Sequence, residues 1–211
     1  MDASDWNARY NTAELIWKGE PNQFLPPEVA DLPVGRAVDL ACGEGRNAVW
    51  LATQGWDVTG VDFSDVGIAK AGNLATEHGV SGTWVTADAT TWTPPVGGFD
   101  LVIVFYLQLP AQQLAAALHT AVASLAADGT FLMVAHDLLN LSEGHGGPQS
   151  PDVLTTAEGV VDSLAAAELK LGFELIIERA GRIDRVVSTP DGDRTAIDTI
   201  VRARRVGSGA F

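Results

Sequence analysis

Cysteine is almost missing from this chain. Cys42 is the single one among 211 residues, which excludes an intrachain disulfide framework and a cysteine-based zinc cage. Positive charge is scarce as well. Asp and Glu number 27 against 13 Lys and Arg, a net charge of −14. That balance repels phosphate backbones and anionic lipid surfaces, so neither nucleic acid nor a membrane is an expected partner. No window approaches the roughly 20 apolar residues of a membrane span. Met1-Asp2-Ala3-Ser4-Asp5-Trp6 has no basic start and no apolar stretch, so a cytoplasmic location is expected. At this length, with 46% hydrophobic residues, the chain can bury one substantial core and is too short for two full-sized domains. A single domain over 1–211 is expected, with an N-terminal helix and lid segment over 1–34 and the core over 35–211, acting as a monomer or homodimer.

What is present is organised around Ala37-Val38-Asp39-Leu40-Ala41-Cys42-Gly43-Glu44-Gly45-Arg46-Asn47, an apolar run that breaks at a glycine turn and leads into the helical Ala48-Val49-Trp50-Leu51-Ala52. A strand feeding a helix through such a turn points backbone N–H groups and the positive helix end at one spot, where a ligand can come close to the backbone. Cys42 suits this bend as a small filler better than as a nucleophile. Gly43-Glu44-Gly45-Arg46-Asn47-Ala48 also satisfies the G-x-G-x-x-A dinucleotide fingerprint, so the turn alone does not choose the cofactor.

Upstream, Trp6, Tyr10, Ile16 and Trp17 among Asp5, Arg9 and Glu14 suggest a helix over 2–17 with an aromatic face. It either packs on the sheet edge or forms a flap bringing Trp6, Arg9, Tyr10 and Trp17 to the cofactor. Gln23 to Val34, with Pro26, Pro27 and Pro33, reads as a connector. Downstream, strands are expected at 58–62, 83–88, 99–105 and 130–135, with 99–105 nearly all apolar as in a strand covered on both faces. Between them fall a helix capped by Ser64-Asp65 and one opened by Pro110 and ended by Asp128-Gly129. A third helix has capping-box spacing at Thr155 and Glu158 and closes at Gly172. Runs over 173–180 and 195–203, connected through Pro190-Asp191-Gly192-Asp193, lack a helix between them and should pair antiparallel. The expected fold is α/β.

Asp62 and Asp88 fall at the carboxyl ends of the second and third strands, where ligands of open parallel sheets sit. A carboxylate at the second strand can accept hydrogen bonds from both hydroxyls of a ribose. This requirement is shared by nicotinamide cofactors and S-adenosylmethionine. Asp88 with the Ala89 N–H can read an adenine edge, and acidic lining suits a sulfonium and an ammonium better than a pyrophosphate. These motifs, from Asp39-Leu40-Ala41-Cys42-Gly43-Glu44-Gly45 through Val61-Asp62-Phe63-Ser64, Ala87-Asp88-Ala89 and Phe99-Asp100-Leu101-Val102, resemble those of the class I S-adenosylmethionine-dependent methyltransferases. Ala41 stands where the family's first glycine often does. Trp6, Arg9-Tyr10 and Trp17 resemble the tellurite-resistance and thiopurine methyltransferase branch. The resemblance implies a Rossmann-like seven-stranded sheet of order 3-2-1-4-5-7-6. It also implies Ala41, Gly43 and Gly45 around the methionine part, Asp62 on the ribose with Phe63 beside the adenine, Asp88 and Ala89 at the adenine, and Phe105 near the sulfonium. S-adenosylhomocysteine would be the product.

Methyl transfer from a sulfonium gains much of its rate from positioning, and an alcohol acceptor benefits further from a base. Two of the four histidines lie in the polar segment after the fifth strand, making His136, Asp137 and His145 the candidate catalytic groups. The same segment, with Glu143, offers a less favoured site for a divalent cation such as Mg2+, without a recognisable ligand spacing. Tyr106 and Gln108 are candidates to shape the acceptor pocket. Six tryptophans and a polar loop suit a small hydroxylated acceptor such as a saccharide. S-methylation or chalcogen detoxification is the rival within the class. A NAD(P)-dependent oxidoreductase and a non-catalytic nucleoside sensor are the rivals outside it.

Overall fold

The computed structural model describes residues 3–12, 14–15, 19–95 and 98–207. A seven-stranded sheet of order β3-β2-β1-β4-β5-β7-β6 forms its centre. The strands are β1 (Arg36–Leu40), β2 (Asp57–Asp62), β3 (Thr83–Thr86), β4 (Phe99–Phe105), β5 (Leu125–His136), β6 (Leu175–Thr189) and β7 (Gly192–Arg205). The first five run parallel and β7 runs antiparallel to both neighbours. The expected order and class are therefore the observed ones. The helices are α1 (Ala3–Tyr10), α2 (Leu25–Val29), α3 (Arg46–Thr53), α4 (Asp65–Glu77), α5 (Ala111–Ala123), α6 (Asn140–Glu143) and α7 (Ala157–Leu171).

Burial explains why the pattern was readable. In β4, Leu101, Val102, Ile103 and Val104 are all buried, because one apolar cluster lies on each face of the sheet. Leu114, Leu118, Val122, Val160 and Leu164 cover one side, and Leu25, Ala48, Leu51 and Trp56 the other. The α4 cap forms as expected, Gly67 N–H donating to Ser64 Oγ at 3.0 Å.

Several boundaries differ. Helix α1 ends at Tyr10, and Ile16 and Trp17 lie outside the described residues. The proline-rich connector contains α2, which starts with Pro26 and Pro27 at its first turn, where the missing N–H groups cost nothing. The α7 cap is Thr156 rather than Thr155, accepting from Gly159 N–H at 3.1 Å. Strand β5 begins at Leu125, and Asp128-Gly129 is a bulge inside it rather than a helix end. A Cβ on Gly129 would lie 2.7 Å from the Phe99 carbonyl oxygen, so the backbones meet where the sequence looked like a stop.

The terminal hairpin is much longer than its apolar runs. Its arms pair from Leu175↔Arg205 to Thr189↔Gly192, joined by a tight turn. Strand β5 reaches only to His136↔Asp198, so the distal half of the hairpin continues past the carboxyl edge of the parallel sheet. Glu178, Arg179, Arg182 and Arg185 interrupt its apolar pattern, and ion pairs absorb them: Glu178 with Arg202 and Arg204, Arg179 with Glu28, Arg182 with Asp137, and Arg185 with Asp198.

Candidate active site

The carboxyl ends of β1, β2, β4 and β5 open into a cavity of about 1270 Å³, covered by α1 on one side and by Arg185, Val186 and Val187 of the hairpin on another. Its floor is the glycine turn, of which Ala41, Cys42, Gly43 and Glu44 line the cavity while Gly45 packs against Ala71 of α4 instead. Ala41, Gly43 and Gly45 all take left-handed backbone angles, with φ of 67°, 55° and 83°. Ala41 occupies the conformation for which glycine is ordinarily selected. A Cβ on Gly45 would lie 2.6 Å from the Ala71 Cβ and 3.0 Å from its Cα. Gly45→Ala should therefore displace α4 and cost roughly 2–4 kcal/mol in urea unfolding, combining overpacking with left-handed strain.

The second-strand acid anchors the turn. Asp62 is buried and accepts from Gly43 N–H at 2.8 Å and Ser64 N–H at 2.9 Å. Burial pushes its carboxyl up, and these two hydrogen bonds hold that rise back. Asp88 is exposed, accepting from the Thr90 N–H and hydroxyl at 2.8 and 2.7 Å. Phe63, Asp88, Ala89 and Phe105 line the cavity, as do Trp6, Arg9 and Tyr10. The Trp6 and Tyr10 rings lie 5.3 Å apart, with the Arg9 guanidinium 4.9 Å from the Trp6 ring. Asn7 of the same helix donates to Asp65 at 2.7 Å and accepts from the Ser64 hydroxyl. Helix α1 is thereby joined to the segment that follows Asp62. Trp17, named with these aromatics, is outside the described residues.

His136 and His145 line the cavity, together with Tyr106 and Gln108. Asp137 does not. Consecutive residues of a strand point to opposite faces, so the chain that turns His136 inward turns Asp137 away. Asp137 is fully buried, accepting from Thr199 Oγ1 at 2.6 Å, Leu139 N–H at 2.9 Å and Arg182 Nε at 3.0 Å. It ties the loop to the hairpin and lies outside the cavity lining. Glu143 is exposed and not part of the lining. Among the described residues no three His, Cys, Asp or Glu side chains gather as a cation site would require, and the divalent-cation expectation gains no support. Cys42 is buried and its thiol is raised well above its ordinary value by burial, then by Asp39 and Asp62, which suits a filler.

Among the lining residues to which the sequence reading assigned no role are Asp39, Arg46 and Arg185. Asp39 is 1% exposed, and neither of its carboxylate oxygens has a hydrogen-bond partner among the described residues. Burial, followed by repulsion from Asp62, pushes its carboxyl up to about 7, with Arg46 and the nearby Ala48 N–H pulling the other way. A buried acid left without a donor at the wall of a cavity fits a ligand that brings a positive charge. Its position in the motif beside Ala41 was the available signal.

Residues 37–129 match the family described as the methyltransferase domain. A thiopurine S-methyltransferase of Xanthobacter autotrophicus is 30% identical over 96 residues, 43% of this chain and 44% of that protein. The ribosomal RNA small subunit methyltransferase C of Alcanivorax borkumensis is 33% identical over 69 residues, 33% of this chain and 21% of that protein. The matches thus span less than half the length of these curated relatives. Among solved structures, the N-methyltransferase NodS of Bradyrhizobium japonicum, in complex with S-adenosyl-L-homocysteine, is similar with a TM-score of 0.70 at 16% identity, over 96% of this chain and 97% of that one. A structure concerned with conversion of a disulfide bond into a thioacetal group during echinomycin biosynthesis reaches a TM-score of 0.75 at 22% identity, over 99% and 94%. Residues 37–129 are thus similar to the methyltransferase domain over less than half of the chain, and the whole sheet shares its fold with the solved N-methyltransferase structure.

Proposed function

We propose that this chain transfers a methyl group from S-adenosylmethionine to a small polar acceptor, in the form of O-methylation of a hydroxyl compound such as a saccharide, with His136 as the base. The orphaned carboxylate of Asp39 carries the cofactor half of this reading, because the methionine ammonium supplies the donor and charge it lacks. The cofactor, when bound, supplies an electrophilic methyl group on a sulfonium. Asp62 holds the ribose, Phe63, Asp88 and Ala89 take the adenine, Ala41, Gly43 and Gly45 border the methionine, and Phe105 lies toward the sulfonium. Trp6, Arg9 and Tyr10 cover the cofactor. Tyr106, Gln108, His136 and His145 are left for the acceptor. The antiparallel seventh strand supports this over the nicotinamide reading, whose dinucleotide sheet of order 3-2-1-4-5-6 has no such strand inserted beside the fifth. The net charge of −14 favours a small acceptor over RNA. The thiopurine relative keeps S-methylation as the second reading.

S-adenosylhomocysteine at about 100 times its Kd should stabilise the protein by about 2.7 kcal/mol, a rise in Tm of roughly 5–10 °C. NADH should leave Tm unchanged. The opposite pattern would overturn the cofactor assignment. A screen of sugars, phenols and thiols with labelled methyl donor, read by mass spectrometry, then decides the acceptor atom.

A further inference from the structure

Directly opposite His136 in the β5–β7 pairing stands Asp198, an acid in the middle of an apolar strand. Its side chain is fully buried and sits among three donors. Tyr106 O–H donates to Oδ2 at 2.7 Å, Arg185 Nε–H to the same oxygen at 2.6 Å, and His136 Nδ1 lies 3.2 Å from Oδ1. Burial pushes the Asp198 carboxyl up, but these hydrogen bonds outweigh it and hold the group below its ordinary range. An ionised carboxylate only accepts, so the ring nitrogen facing it carries the hydrogen. The imidazole is fixed from other sides as well. The Tyr106 ring lies 4.7 Å away at 45°, and a Cβ on Gly147 would come within 3.2 Å of Nδ1. Nε2 has no partner among the described residues, and the ring lines the cavity.

We infer that Asp198 is a positioning residue that holds His136 in its Nδ1–H form, leaving Nε2 as the base for an acceptor whose oxygen arrives as a hydroxyl. This rests on the methyl-transfer reading above and adds the acceptor's protonation state to it. The acceptor O–H bond breaks with its proton passing to Nε2, the oxygen lone pair forms the O–CH3 bond, and the S–CH3 bond breaks with its electrons staying on sulfur. The positive charge that leaves sulfur appears on the imidazole, beside the Asp198 carboxylate. Arg185 and Tyr106 keep that carboxylate in place throughout. An acceptor that enters already as an anion, such as a thiolate or an oxyanion, has no proton to give and draws nothing from this arrangement.

The test is the tautomer itself. Long-range 1H–15N correlation spectra of the full chain saturated with S-adenosylhomocysteine at pH 8, with the His136 signals identified through His136→Asn, should show Nδ1 protonated and Nε2 bare. Asp198→Asn should relax this toward the Nε2–H form. A wild-type ring protonated at Nε2 overturns the inference, and does so without any variant having to fold. Calorimetry with S-adenosylhomocysteine on the same samples separates the outcomes. Absent binding with the Nδ1–H form present refutes the methyl-transfer reading alone, whereas normal binding with the Nε2–H form refutes the positioning role alone. With a hydroxyl acceptor in hand, Asp198→Asn should lower kcat roughly 10²–10⁴-fold with little change in KM. An unchanged kcat overturns the inference.

Discussion

Replacing Asp39 by Asn should give a protein that is more stable when empty and unable to hold S-adenosylhomocysteine. The wild-type carboxyl is ordinary, near 3.8, in the unfolded chain and about 7 when buried in the fold. A carboxyl raised on folding binds its proton more tightly in the folded state, so stability falls as pH rises from the unfolded value to the folded one and stays low above it. That difference amounts to roughly 4 kcal/mol at most. The Asn amide recovers only part of it, since it brings unsatisfied hydrogens of its own at about 1–3 kcal/mol. The variant should therefore melt several degrees above wild type at pH 8, with the advantage shrinking steadily toward pH 4. Thermal denaturation across that range checks the stability half, and calorimetry with S-adenosylhomocysteine at pH 8 checks the binding half. Equal melting at pH 8 would mean that the buried acid already has a partner.

The second large effect belongs to Asp62. Its two oxygens take the N–H groups of Gly43 and Ser64, so Asp62→Ala leaves two buried donors without acceptors and should cost roughly 2–5 kcal/mol. It should also abolish the thermal response to S-adenosylhomocysteine, but a collapsed turn would do the same. Asp62→Asn separates the two causes. An amide oxygen can still accept one of the backbone bonds while the charge-assisted hydrogen bonds to a ribose diol are lost, each worth about 1.5–3 kcal/mol. The variant should fold and bind S-adenosylhomocysteine at least roughly 10-fold more weakly. Wild-type affinity in a folded Asp62→Asn protein would remove Asp62 from the ribose.

What was legible in the sequence is what local physics writes there. Parallel strands covered on both faces appear as apolar runs, and glycines appear where a chain must turn left-handed. Ser64 precedes α4 because an exposed helix start needs an acceptor. Even the surprises at β5 and α7 are shifts of a few residues, where a bulge backed by Gly129 looked like a stop and two adjacent threonines competed for one cap. The hairpin length was harder, because its arginines are satisfied by acids far away in the chain. Arg179 meets Glu28, and Arg185 meets Asp198, while an alternation test sees only charge.

By itself the sequence determined the doubly covered sheet, the glycine turn and the acids after β2 and β3, each a property of a short stretch and its neighbours. The tertiary structure alone decided which of His136 and Asp137 faces the cavity, that Asp39 is stranded without a donor, and that Tyr106, Arg185 and His136 converge on the carboxylate of Asp198. The first and last of these depend on the pairing of β5 with β7 across some sixty residues. No local pattern encodes such a register, because it is set by how the whole sheet closes over its core.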